Sequence, residues 1–156
     1  MSDNLQMLDR LDDAWRSFRD TLDGITEEQM LEKDFDSWSL KDILAHIIGW
    51  NEVISESLEH VARGEPPVKV GSGDEIFDAW NEKFVADRQD LSPHQVVNEL
   101  EESFRRFRTA FQSFPEEKYD ERLAERINFE ISHYQEHTHQ LKEWRETLQS
   151  ASREGR

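Results

Sequence analysis

The apolar residues of this chain recur at helical spacing from end to end. Leu8, Leu11, Trp15, Phe18, Leu22 and Ile25 alternate steps of three and four, the seam of a helix packed in a bundle. They predict a first helix from about Asn4 to Asp23, closed by Gly24. Thr26 with Gln29 then makes a capping box for a short connecting turn before Asp36. Ser39 is an N-cap with Asp42 three residues on, and Trp38 is placed to staple against Ile43. In the helix that follows, Ile47, Trp50, Ile54 and Val61 fall within roughly 40° of the direction of Ile43 at about 100° per residue, and His46 lies at the edge of that stripe.

Gly64, Pro66 and Pro67 end this second helix, and the stretch through Gly71-Ser72-Gly73 predicts a loop. Asp74 is expected to cap a further helical segment bearing Phe77, Trp80, Phe84 and Val85. Ser92-Pro93 restarts a helix whose Val97, Leu100, Phe104, Phe107, Phe111 and Phe114 form a core row that Pro115 stops. A final helix, from about Arg126 to Gln149, carries Ile127, Ile131, Tyr134, Leu141 and Leu148 on one face. From Ser150 to Arg156 the chain is small and polar and is expected to fray. Length and pattern predict one all-α domain over residues 1–150, with a polar tail at 151–156.

Composition narrows the function. With 35 acidic residues against 19 basic ones, the net charge of -16 opposes phosphate backbones and anionic lipid surfaces, so neither nucleic acid nor a membrane is expected as a partner. No stretch approaches the ~20 apolar residues of a membrane span, and the first residues lack a targeting pattern, so a cytoplasmic location is expected. Cysteine is absent, so any metal must be held by nitrogen and oxygen.

Of six histidines, the helical wheel selects three. His133 and His137 stand one turn apart, about 100° and 60° from Tyr134 on the same side, able to grip a single ion. His46 is the other histidine beside an apolar seam, and three imidazoles with one open position suit a divalent ion that activates water or substrate. His139 is turned about 140° from the seam, His94 sits in a first turn and His60 near a helix end; all three are expected to face solvent. The competing reading makes the three selected histidines polar residues at a helix interface, bound to carboxylates or carbonyls. Glu130-x-x-His133 is half of the pattern used by di-iron bundles, but the second half is missing. Among the large aromatics, Trp38 and Trp80 are assigned to the core, and Trp50, one turn from His46, stays open between core and pocket.

The run Trp38-Ser39-Leu40-Lys41-Asp42-Ile43-Leu44-Ala45-His46-Ile47-Ile48-Gly49-Trp50-Asn51-Glu52, with His133-x-x-x-His137 and Gln140-Leu141 near the C-terminus, resembles the DinB-like four-helix-bundle superfamily. The resemblance spans nearly the whole chain. It implies an up-down-down-up four-helix bundle with a long crossover between helices two and three, a short extra helical segment, homodimerisation, and a metal triad at His46, His133 and His137. The first run and Trp80-Asn81-Glu82 resemble in particular the branch that includes colibactin self-protection proteins, associated with opening a strained cyclopropane. Other members resemble transferases and isomerases that use mycothiol or bacillithiol. Where an arginine and a glycine often follow the last histidine, this chain has Thr138-His139.

Three functions follow as expectations. One is a metal-dependent hydrolase or thiol-dependent transferase acting on a small molecule, with zinc, nickel or iron on the triad and Glu130 as base or support. The second is a metal-free protective protein that binds or hydrolyses a reactive electrophile, with Trp50, Asn81 and Tyr134 in the pocket. The third is a non-catalytic dimeric interaction module.

Overall fold

The computed structural model describes residues 3–154. Met1 and Ser2, within the stretch read for a targeting leader, and Gly155 and Arg156, the end of the expected tail, lie outside the described residues. All regular structure among the described residues is helical: α1 (Asp3–Asp20), α2 (Glu27–Leu31), α3 (Leu40–Ala62), α4 (Asp74–Asp87), α5 (Pro93–Gln112), a 3-10 turn (Glu116–Lys118) and α6 (Glu121–Glu154). The chain divides into two compact units, one formed by residues 1–24 and 119–156, the other by residues 25–118.

In the first unit α1 and α6 run parallel. Arg10 donates to Asn128 Oδ1 at 3.0 Å, and further along both helices Arg145 donates to the carbonyls of Thr21 and Asp23 at 2.7 and 2.6 Å. Their apolar seams supply buried Leu11, Phe18, Ile127, Ile131, Tyr134 and Leu141. Two ends differ from expectation. α1 stops at Asp20 and passes through turns to Gly24, whose φ of 79° a glycine adopts without strain. α6 begins five residues early, because the Asp120 carboxylate accepts from Leu123 N at 2.9 Å and so caps the first turn. It also continues to Glu154, into the segment expected to fray.

In the second unit α3 and α5 are also parallel. Asn51 donates to Ser103 Oγ at 3.0 Å, and a turn or two on Arg106 donates to Glu59 at 2.6 and 3.1 Å. Parallel pairing of first with last helix, and of the two middle helices, is what an up-down-down-up order requires. Capping boxes at Thr26/Gln29, Ser39/Asp42 and Ser92/Gln95 start α2, α3 and α5. The link between α3 and α5 holds α4, which packs against α3. Asp74 is not its cap: Gly73 takes that position without a side-chain bond, and Asp74 is the first helical residue. Gly49 admits this packing, because a Cβ there would collide with the buried Phe84 ring.

Candidate metal centre

Within the first unit, the four-residue step on α6 brings His133 and His137 together as the spacing predicts. Their Nε2 atoms lie 3.0 Å apart and their ring centroids 4.5 Å apart. His137 Nδ1 faces Gln140 Oε1 at 2.9 Å, so the amide one turn on fixes the ring's rotation. Burial holds the His137 imidazole below its ordinary pKa, against the Gln140 bond and the Glu136 charge, which favours the neutral form a metal needs. Phe129, 65 % exposed, stacks on the His133 ring at 6.2 Å. One turn before these rings is Glu130, 2 % exposed. Burial pushes its carboxyl up to about 7, although the Arg126 guanidinium 3.4 Å away favours the charged form.

Tyr134 does not line an open pocket. It is 2 % exposed, with its ring against Trp15 at 5.7 Å and Phe18 at 5.8 Å, so its bulk fills the core of this unit. A cavity of about 340 Å³ does open in the first unit, walled by Arg10, Asp13, Ser17, Gln135, Thr138 and Lys142, but it includes none of the predicted site residues.

The second unit positions His46. The capping box at Ser39 sets the start of α3, and His46 follows in its second turn, 7 % exposed. A tight turn in which Phe35 and Trp38 exchange two 3.0 Å backbone bonds, with Asp36 at φ 58°, lays the Trp38 indole 5.4 Å from the His46 ring. On α4, Asn81 Oδ1 lies 2.7 Å from His46 Nδ1 and 2.7 Å from Trp50 Nε1. Around Trp50 gather Phe84 at 5.2 Å, Phe77 at 6.0 Å and Trp80 at 6.2 Å.

Trp38 and Trp80 are not core residues, contrary to expectation: both are half-buried, Trp38 beside His46 and Trp80 beside Trp50. An indole N–H must keep an acceptor, and Trp80 finds one in the Val70 carbonyl at 3.0 Å, at the unit's edge. Of the histidines set aside, His94 and His139 are exposed as expected. His60 is half-buried, with Nδ1 3.3 Å from the Pro66 carbonyl and Nε2 3.6 Å from Glu56.

A helical chain with an i, i+4 histidine pair and a third histidine early in a capped helix belongs to a recognisable class. The chain belongs to the DinB superfamily, whose model matches residues 10–141. Among solved structures, it is similar to an uncharacterised protein from Escherichia coli UTI89, with a TM-score of 0.80, 19% identity and 94% of each chain covered. It is also similar to the colibactin self-resistance protein ClbS in complex with a double-stranded DNA, with a TM-score of 0.77, 16% identity, and 94% of this chain and 97% of that one covered. At these identities the likeness is one of fold. No curated protein matches the chain in sequence. Among the described residues, no helix is long and apolar enough to cross a membrane.

Proposed function

We propose that His46, His133 and His137 hold one divalent ion, and that a small molecule is bound and converted beside it. The observation that carries this reading is the 3.0 Å separation of the His133 and His137 Nε2 atoms. Two nitrogens each ~2.0–2.1 Å from one ion and adjacent in its shell stand about 3.0–3.4 Å apart, so the spacing of the pair matches that of two ligands of one ion. A set of three imidazoles accepts zinc, nickel or iron.

Such an ion, when bound, supplies a Lewis acid that lowers the pKa of a water or a small thiol. The chain's residues do the rest. Gln140 and Asn81 hold the rings of His137 and His46 in position. The Glu130 carboxyl, with a pKa near neutrality, is suited to take up or return a proton. Trp50 and its aromatic neighbours offer an apolar wall to the substrate. In this reading residues 1–150 act as one domain in a cytoplasmic homodimer, and hydrolysis or thiol transfer is the reaction class. Elemental analysis of protein purified without a histidine tag is expected to find about one ion per chain, and the double substitution His133→Ala, His137→Ala to remove it. A wild-type protein that stays metal-free after reconstitution ends the proposal.

The second reading is a metal-free protective protein that binds or hydrolyses a reactive electrophile. It is favoured by the half-exposed cluster of Trp50, Phe77 and Trp80 and by the likeness to the fold of a self-resistance protein. Cells overproducing the protein are then expected to survive a DNA-alkylating metabolite better, equally well with both α6 histidines replaced. We propose that DNA itself is not a partner here, since a charge of -16 repels phosphates. Retardation of a DNA duplex by the protein at physiological ionic strength would refute that point.

A further inference from the structure

We infer that Trp50 and Asn81 form a relay that fixes the tautomer of His46, with the proton on Nδ1 and the lone pair on Nε2. The indole Nε1 of Trp50 can only donate. The Asn81 side-chain atom 2.7 Å away must therefore be the amide oxygen and not the nitrogen. The usual ambiguity in an amide's orientation is removed by a neighbour that has no alternative role. That same oxygen lies 2.7 Å from His46 Nδ1. An amide oxygen can only accept, so Nδ1 must carry the proton and donate it, and in the neutral ring Nε2 is left unprotonated.

One carbonyl oxygen thus uses its two lone pairs on two N–H groups, and the chemistry passes from Trp50 to Asn81 to His46. At His137 the Gln140 amide oxygen lies 2.9 Å from Nδ1 in a similar way. His46 is one turn from Trp50 on α3, and its partner Asn81 comes from α4, so two helices and the link between them determine one proton's place. Asn81 and Trp50 act here as positioning residues. The inference rests on the metal reading only for its purpose: Nε2 in the unprotonated form is the donor an ion requires.

Nitrogen-15 spectra of the imidazole of His46, recorded on metal-free protein, test it directly. The wild-type ring is expected to show a protonated Nδ1 and an unprotonated Nε2. Asn81→Asp keeps an acceptor and is expected to keep that pattern. Asn81→Ala removes the acceptor, and Trp50→Phe removes the donor that orients the amide; both are expected to shift His46 toward the other tautomer and to weaken zinc binding about 10–100-fold. Circular dichroism of each variant shows whether it is folded, and the Asn81→Asp pattern stands as the control should either of the others unfold. A wild-type spectrum with the proton on Nε2, or an unchanged pattern in a folded Asn81→Ala protein, overturns the inference. Because the spectra need no metal, the expected tautomer in a protein that never binds zinc would leave the relay standing and end the metal proposal alone.

Discussion

Replacing Glu130 by glutamine converts a buried, near-neutral acid into a group of the same shape that cannot ionise. In the folded protein burial raises the carboxyl from 4.5 to about 7, and the opposing pull of Arg126 is already included in that value. The sign follows from proton counting. Between pH 4.5 and about 7 the folded chain keeps a proton that the unfolded chain has released, so stability falls as pH rises through this window and levels off above it. A difference of about 2.5 units at ~1.36 kcal/mol each amounts to about 3 kcal/mol, fully present below pH 4.5 and lost above 7. Glutamine has no such slope. Urea unfolding of both proteins in the presence of a chelator, at steps from pH 5 to pH 8, is therefore expected to give nearly equal stabilities at the acid end. At pH 8 the Glu130→Gln protein should be the more stable by about 2–3 kcal/mol. Parallel curves for the two proteins across the whole range, or a glutamine variant that is weaker at pH 8, would show that Glu130 is not a desolvated acid.

Other outcomes follow from the packing. Gly49→Ala drives a methyl group into the Phe84 ring and is expected to cost about 1–3 kcal/mol by urea unfolding, with part of the loss restored by Phe84→Leu. Ser39→Ala and Ser92→Ala each remove an N-cap oxygen and should each cost about 1 kcal/mol. The caps lie on different helices, so a double variant should lose the sum, and a markedly smaller loss would mean that one cap contributes nothing. Arg88 is buried, donating to the Phe84 carbonyl at 3.2 Å and to Glu52 at 2.9 Å, with Glu99 at 3.4 Å. Arg88→Ala should cost about 1–3 kcal/mol, the lower figure if the half-exposed glutamates regain water; no change in the unfolding midpoint would rule out a fastening role.

Local features were the most legible. A capping box closes over three residues, and the pairs at Thr26/Gln29 and Ser39/Asp42 are legible in the chain because nothing distant is needed to make them; at Ser92-Pro93, where the chain shows a helix restart, Gln95 completes a third box. The start of α6 was missed for a related reason. Glu121 to Glu125 has little apolar periodicity, and the Asp120 cap is the signal that would have found it. The His133–His137 pair was legible because one helix repeat positions both rings. Bulk alone assigns Trp80 to the core and leaves Trp50 open, and it is the indole N–H that places both. Trp50 and Trp80 each spend that donor on an acceptor at a half-buried edge, a position that apolar bulk alone would not choose. Asn81 was placed in the pocket, but its bonds to His46 and Trp50 bridge 35 and 31 residues, and no helical repeat spans such a distance.

The two halves of the candidate centre therefore differ in what maintains them. His133 and His137 depend on the pitch of a single helix and should stay paired wherever α6 is intact. His46 depends on α4, which reaches it through a link from Ala62 to Asp74 and is held against α3 by Gly49, Phe84 and Arg88. A disturbance of that contact moves Asn81 without touching any histidine. Loosening α4 should thus remove one nitrogen's orientation and leave the other two in place, so that an ion is bound more weakly and not lost. Gly49→Ala consequently offers more than a measure of packing: a zinc affinity that falls while the His133–His137 pair still takes up metal would separate the contribution of α4 from that of the pair. Equal affinity in a variant whose α4 has shifted would mean that His46 is held by α3 alone.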